Sequence, residues 1–243
     1  MYRVLDCLTT QHDWRLVLLA VGVCFLASGV AISLFHRAPQ GRARLIWLGL
    51  DAAAAGFGIW ATHFIAILAF DSGLGAGYDA VLTILSLVIA IVITGVGLFI
   101  ALSEARAKFI PILAGTVVGG GVAAMHYTGM LALEVPARLT WSVPLVIASV
   151  ILGLVWAAAA LYVASQPVGK GRTLLAATLL TVAIVTMHFT AMGACNSCRI
   201  RRARRLRCCS RPMRWRSSLP GQRQSSSECA LSPRSATGAP MTS

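Results

Sequence analysis

The sequence predicts an all-α, polytopic membrane protein of six transmembrane helices built as three helix-pair repeats. The chain of 243 residues is 57% hydrophobic and only 12% charged, a composition typical of proteins that cross a membrane several times. Six apolar stretches are long enough to span a bilayer, and a histidine-centred motif recurs in every second one. The three motif histidines lie 63 and then 62 residues apart, which gives the length of the repeat.

Each apolar stretch meets the requirement of about 20 mostly apolar residues for a spanning helix. The first follows Arg3, Asp6 and Asp13, and its apolar run is longer than the core of a signal peptide, so we interpret it as a retained helix. The second, fourth and sixth carry the motifs "GIWATHFIAIL", "AAMHYTGML" and "IVTMHFTAMGA", and the third and fifth are uncharged. In chain order the stretches cover residues 14–35, 45–70, 80–102, 110–133, 143–165 and 173–194.

Basic residues are distributed unequally between the loops on the two sides of the membrane, and this inequality predicts the orientation of the helices. One side of the membrane receives seven basic residues, namely Arg37, Arg42, Arg44, Arg106, Lys108, Lys170 and Arg172. The other side receives only Arg3 and Arg138. The positive-inside rule therefore places the first set in the cytoplasm and the N-terminus outside.

The three motif histidines share one depth in this arrangement. Each lies 6 or 7 residues before the outer end of its helix, which is roughly 10 Å inside the outer boundary at about 1.5 Å per residue. Because all three helices run outward, equal depth allows His63, His126 and His188 to form one layer near the outer face.

The residues beside these histidines point to copper. His126 with Met130, and His188 with Met192, are spaced four apart and so share a helix face. Imidazole suits copper and the soft thioether selects Cu(I), while cysteine and carboxylate ligands are missing from the layer. The predicted metal ligands are His63, His126, His188, Met125, Met130, Met187 and Met192.

Two other interpretations of the layer stay open. A transmembrane histidine often bonds a neighbouring carbonyl or hydroxyl, and methionine is ordinary core filler. A pH-sensing layer is also possible, because histidine titrates near neutrality. Three copies in register favour a binding or sensing role, since ionisable groups at depth are costly in lipid. Asp51 lies about three turns below His63 and is not expected in the layer.

Glycines precede the second motif in "GTVVGGG", which covers residues 115–121. Gly115 and Gly119 are spaced four apart, and Gly120 and Gly121 follow. Small residues at this spacing let membrane helices approach closely. We therefore expect these glycines to serve helix packing.

The repeated motif resembles the MHYT domain of bacterial integral-membrane signalling proteins. "MHYT" stands complete at 125–128, "MHFT" at 187–190 and "THFI" at 62–65, and the resemblance covers residues from about 10 to 194. It implies a sensor of the bacterial inner membrane that binds copper to sense oxygen, carbon monoxide, nitric oxide or redox state, and the N-terminus that the loop charges place outside is then periplasmic. It also implies a cytoplasmic output domain or partner, such as a cyclic-di-GMP (GGDEF and EAL), kinase or DNA-binding module. In the first copy Thr62 and Ile67 stand where the family tends to carry methionine, which removes two thioethers.

The C-terminal tail has a different composition from the membrane part. Residues 1–194 hold 10 basic and 7 acidic residues, whereas residues 195–243 hold 11 Arg and one Glu. The tail lacks an apolar run, and its charge contradicts the positive-inside rule for a segment that begins outside. We expect it to be disordered or the product of a frameshifted or truncated reading frame. A zinc module on its cysteines and a nucleic-acid-binding arm are weaker alternatives, and no nucleic-acid partner is expected.

The predicted domains are thus a membrane sensor over 1–194, embedded in the lipid bilayer, and a basic tail over 195–243. We expect a sensory domain without its usual output module in this chain, and no enzyme activity. A copper or small-cation transporter is the alternative, although the sequence offers no polar path from the histidine layer to the cytoplasm. A membrane oxidoreductase is disfavoured because phosphate loops, haem attachment motifs and acid–base pairs are absent from the helices.

Overall fold

The computed structural model describes residues 12–37, 43–70, 77–103, 107, 109–134 and 140–195. These residues form six helices that are long and apolar enough to cross a membrane. In chain order they are α1 (Trp14–Arg37), α2 (Ala43–Ala69), α3 (Ala80–Ala101), α4 (Ile110–Leu131), α5 (Val143–Ala164) and α6 (Lys170–Ala194). The six predicted stretches agree with these helices to within three residues at every end.

The helices form a ring in which every second helix lies inside. Neighbours pack in chain order and α6 closes the ring against α1, while α2, α4 and α6 also touch across the middle. The inner helices bury 50–56% of their most apolar window, against 28% for α1, α3 and α5. The outer helices expose large apolar side chains such as Leu26, Val81 and Ile147, which suits contact with lipid tails.

Equivalent backbone contacts close the three helix pairs at one end of the bundle. Phe70, Leu133 and Cys195 each lie seven residues after a motif histidine. The contacts are the bridge of His12 with Phe70, the antiparallel pairing of β1 (Gly77–Tyr78) with β2 (Leu133–Glu134), and the bridge of Trp141 with Cys195. Beside them the amides of Asp13, Asp79 and Ser142 donate to the carbonyls of Ala69, Ala132 and Ala194 at 2.8, 2.8 and 2.9 Å. The backbone therefore repeats three times, and we call this the bridged end.

The opposite end of the bundle, which we call the basic end, carries most of the cationic residues that the structure describes. These are Arg37, Arg44, Lys170 and Arg172, whereas Arg15 in the first turn of α1 lies at the bridged end beside Asp13. The described carboxylates Asp13, Asp79 and Glu134 lie at the bridged end instead. This separation agrees with the predicted charge asymmetry, and the assignment of the basic end to the cytoplasm stays a prediction.

Glycines in α4 allow close packing against α5. A Cβ at Gly115 would overlap the carbonyl of Ala157, and a Cβ at Gly119 would lie 2.7 Å from the carbonyl oxygen of Gly153. Gly120 differs, because its Cβ would meet only Leu154 at 4.0 Å. The predicted packing role is confirmed for Gly115 and Gly119.

The predicted tail, residues 195–243, lies outside the described residues except for its first member. Cys195 is 6% exposed and directly follows α6, where it forms the bridge with Trp141. This cysteine therefore packs with the helical part of the chain.

Candidate metal centre

Three imidazoles meet in the middle of the bundle, one from each inner helix. His63 of α2, His126 of α4 and His188 of α6 are 2%, 0% and 4% exposed. Their ring centroids are 4.8, 5.0 and 5.3 Å apart, and the ring planes are inclined to one another by 78–87°. The structure thus brings the three together in a nearly equilateral triangle, as their equal depth in the sequence predicts.

The δ nitrogens of the three rings approach one another. Nδ1 of His63 lies 3.0 Å from Nδ1 of His126 and 3.3 Å from Nδ1 of His188. A neutral imidazole nitrogen carries either a proton or a lone pair, so Nδ1 of His63 forms at most one well-directed hydrogen bond. The second contact of this nitrogen is then left without a well-directed hydrogen bond.

The ε nitrogens of the three rings also lack hydrogen bonds among the described residues. Nε2 of each of the three histidines is buried and has no hydrogen-bond partner within the described ranges. A buried polar group without a partner costs about 1–3 kcal/mol. The triangle is therefore an unfavourable arrangement for three imidazoles alone.

A metal ion would relieve the contacts between the δ nitrogens. Nitrogen donors about 2.0 Å from a common ion in trigonal or tetrahedral geometry lie roughly 3.3–3.5 Å apart. The observed separations of 3.0 and 3.3 Å are close to this spacing, and ligand atoms of all three residues lie within 4.8 Å of one another. Three imidazole nitrogens suit a transition-metal ion better than Mg²⁺ or Ca²⁺. The residues present therefore fit such an ion bound through Nδ1.

The four predicted methionines fall into two groups. Met130 and Met192 form a buried cluster with Ile67, and each member lies four residues beyond a motif histidine towards the bridged end. Met125 and Met187 are buried in the main core, where a Cβ at Gly153 of α5 would lie 3.2 Å from Cγ of Met187. Ile67 thus takes the position in the first repeat that methionine takes in the other two.

Aromatic rings surround the triangle and link the helix pairs. The residue after each motif histidine packs edge-on against that histidine, with centroids 5.0–5.1 Å apart. Each of these rings also contacts a ring from the bridged end of the next pair, at 5.4–5.6 Å. The contacts are Phe64 with Tyr78, Tyr127 with Trp141, and Phe189 with His12. We call this set the aromatic cap, and two of its members, Tyr78 and Trp141, also pack against the buried cluster of Ile67, Met130 and Met192 on the bridged side of the triangle.

Sequence reasoning missed the aromatic cap, although a signal was present. His12, Tyr78 and Trp141 are spaced by 66 and 63 residues, close to the repeat of the motif histidines. These three residues lie outside the apolar stretches, so the motifs within the predicted helices do not include them.

Gly129 of α4 makes room for one of the imidazoles. A Cβ at this position would lie 2.5 Å from Nε2 and 3.0 Å from Cδ2 of His63. Real Cβ atoms do not approach other atoms so closely. The glycine within the second motif is therefore needed for the triangle to close.

A small internal cavity of about 20 Å³ lies on the basic side of the triangle. Ile59 and Ile184, each four residues before a motif histidine, line it together with Ser28 and Thr94. The hydroxyl of Thr94 is buried without a partner among the residues described. A volume of this size is enough for about one water-sized molecule.

Asp51 does not belong to the triangle. It is 2% exposed, and its Oδ1 has no hydrogen-bond partner in the described part of the chain. It precedes His63 by 12 residues in the same helix, which separates the two by about 18 Å along the axis. This agrees with the expectation that the carboxylate is no ligand of the layer.

Comparisons with known proteins converge on one family. The model of the MHYT family, described as a bacterial signalling protein N-terminal repeat, matches residues 56–114 and 119–177. An uncharacterized signaling protein of Caulobacter vibrioides is 40% identical over 80% of this chain and 24% of its own length. In Pseudomonas aeruginosa, the bifunctional diguanylate cyclase/cyclic di-GMP phosphodiesterase MucR is 34% identical over 77% of this chain and 28% of its own. The cyclic di-GMP phosphodiesterase NbdA of the same organism is 37% identical over 74% and 24%.

The chain spans about a quarter of the length of these curated relatives. No solved structure matches it.

Proposed function

The chain belongs to the MHYT family of bacterial signalling proteins, and from that premise we propose that its three buried histidines bind copper in a membrane sensor domain. The observation that carries the proposal is the approach of three δ nitrogens, at 3.0 and 3.3 Å, from three separate helices. Imidazole suits copper, and the cluster of Met130 and Met192 supplies soft thioethers one turn away.

The ligand sensed through the copper is a diatomic gas, such as oxygen, carbon monoxide or nitric oxide, or the redox state of the metal itself. The cavity of about 20 Å³ lies one helical turn from the histidines, none of which lines it, and offers space for one small molecule on the basic side of the triangle. The aromatic cap covers the opposite side. Because water is excluded from both sides, a weakly bound apolar ligand can bind the copper reversibly without competition from water.

Each histidine comes from a different inner helix, so the site couples the positions of α2, α4 and α6. A change in ligation then alters how these helices pack, and this is the signal passed on. In the longer proteins of this kind, we propose that the signal controls the synthesis or breakdown of cyclic di-GMP, because two relatives carry those activities in their names.

Metal analysis of the purified chain tests the copper site. Protein loaded under reducing conditions should retain about one copper per chain, and the variant H63A/H126A/H188A should retain none. The matched control is H36A, because Nε2 of His36 contacts the carbonyl of Ala164 at the basic end, far from the triangle. Equal copper in the triple variant and in the control would reject the site.

Infrared spectroscopy under carbon monoxide tests gas binding separately. The Cu(I)-loaded chain should show a C–O stretching band that the triple variant lacks. A copper-loaded chain without such a band would remove the gas ligand from the proposal and leave the metal site standing.

The transporter alternative predicts movement of copper across the membrane. The cavity wall below the triangle is mostly apolar, and Asp51 is about 18 Å away along its helix, which argues against a conduction path. Proteoliposomes that accumulate copper in a His126-dependent manner would favour the transporter.

A further inference from the structure

A groove opens in the lipid-facing surface between α1 and α6, at the seam where the ring of helices closes. Its volume is about 690 Å³. The walls are mostly apolar and include Phe25, Val30 and Leu34 from α1 and Leu174 and Ala177 from α6, with the hydroxyls of Ser33 and Thr173 among them. On α6 the groove lining ends at Ala177, 11 residues before His188, so the groove has no part in the proposed copper site.

Two cations stand at the mouth of this groove. Arg37 ends α1, Lys170 begins α6, both are exposed, and both line the groove. The described carboxylates lie at the bridged end, except for the buried Asp51. Within the described residues, the positive charge at the mouth is therefore not neutralised by a carboxylate.

The groove extends over the depth of one lipid leaflet. On α1 its lining runs from Phe25 to Arg37, which is about 18 Å of helix. The hydrocarbon of one leaflet is about 15 Å thick, half of the bilayer core. A further transmembrane helix would need a groove along the full height of the bundle, whereas an acyl chain needs only this half.

We propose that the α1–α6 groove is a binding site for an anionic phospholipid of the leaflet at the basic end. The acyl chain lies along Phe25, Val30 and Leu174, and the phosphate pairs with Arg37 and Lys170. Cationic pockets between transmembrane helices are suited to such headgroups, because pairing the charge satisfies both partners at the membrane surface. The site would make the closure of the helix ring depend on lipid charge.

Lipid titration followed by native mass spectrometry tests the charge requirement. The delipidated chain in detergent should bind one phosphatidylglycerol much more tightly than phosphatidylcholine, and millimolar inorganic phosphate should not displace it. The variant R37Q/K170Q should lose roughly 30-fold in affinity, from about 1 kcal/mol per cation. The matched control R44Q/R172Q removes the same charge from the same end, outside the groove lining, and should keep the wild-type affinity.

Glycine substitutions test the groove without changing charge. A Cβ at Gly29, which lines the groove, would meet no atom within 4 Å. G29W should therefore fill the groove, keep the fold and prevent lipid binding. Gly22 lies two turns away on the same helix, is equally open and does not line the groove, so G22W should bind lipid normally.

Several results would overturn the proposal. These are equal loss of phosphatidylglycerol in both charge variants, equal affinity for phosphatidylcholine, displacement by inorganic phosphate, or full lipid binding by G29W. A doubled mass that G29W abolishes would assign the groove to a second copy of the chain instead.

Discussion

Replacing Gly129 by alanine should disrupt the metal centre without touching a ligand. The new Cβ would lie 2.5 Å from Nε2 of His63, whereas unstrained contacts between heavy atoms are about 3.5–4.0 Å. The ring edge must therefore retreat by about 1 Å. Metal sites tolerate departures of only about 0.2 Å in ligand distance, so His63 would leave the coordination sphere or bind badly.

The imidazole of His63 has little freedom to adapt. It is packed against His126 at 4.8 Å and against Phe64 at 5.0 Å between centroids, and it is 2% exposed. Overpacking of this kind costs about 1–3 kcal/mol, and the loss of a well-placed ligand should weaken copper binding roughly 10- to 100-fold. Competition titration against a Cu(I) chelator measures the affinity, and thermal unfolding in detergent measures the stability.

The matched control for Gly129→Ala is Gly120→Ala in the same helix. A Cβ there makes an ordinary contact at 4.0 Å, so this variant should bind copper normally and gain up to about 1 kcal/mol from helix propensity. In a His63→Ala background the space beside residue 129 is free, and G129A should then have little further effect on copper binding. Wild-type copper affinity in G129A, or an undiminished effect of G129A in the absence of His63, would refute this reasoning.

Three further predictions concern the layer and its orientation. Ile67→Met should tighten Cu(I) binding, because it adds a thioether to the cluster of Met130 and Met192, and the swap conserves volume and so should cost little stability. Unchanged Cu(I) affinity, measured against the same chelator, would exclude the thioether cluster from the site. Copper should be released on acidification, because a protonated imidazole has no lone pair to donate; a copper content that is independent of pH, measured after desalting, would contradict histidine ligation. In a cysteine-free background, an impermeant maleimide added outside the cell should label Gly75→Cys and not Gln40→Cys, and the reverse pattern would invert the predicted topology.

The helices and the meeting of the histidines could be predicted because both follow from local patterns. The apolar run 143–165 matches α5 (Val143–Ala164) to one residue. A run of this length spans the bilayer, and in lipid its backbone satisfies its hydrogen bonds within a helix. His63, His126 and His188 converge because equal depth on parallel helices leaves them few other neighbours. The spacing of 63 and 62 residues between the motifs is thus also the spacing of the helix pairs, which equivalent backbone contacts close in the structure.

Other parts of the centre could not be predicted, because they depend on side-chain contacts between helix pairs. The approach of the rings through Nδ1, at 3.0 and 3.3 Å, depends on the side-chain rotamers of the three histidines, which helical spacing does not specify. The need for Gly129 arises from the imidazole of another helix. Cys195 looks like part of the basic tail by composition, and only its bridge with Trp141 places it with the helices.

X-ray absorption at the copper edge tests the central claim most directly. The copper-loaded chain should show about three nitrogen ligands near 2.0 Å with the outer-shell scattering of imidazole rings, and the spectrum should lose that scattering in H63A/H126A/H188A while H36A keeps it. Copper bound without imidazole scattering, or a spectrum unchanged by the triple replacement, would show that the three buried histidines do not bind the metal.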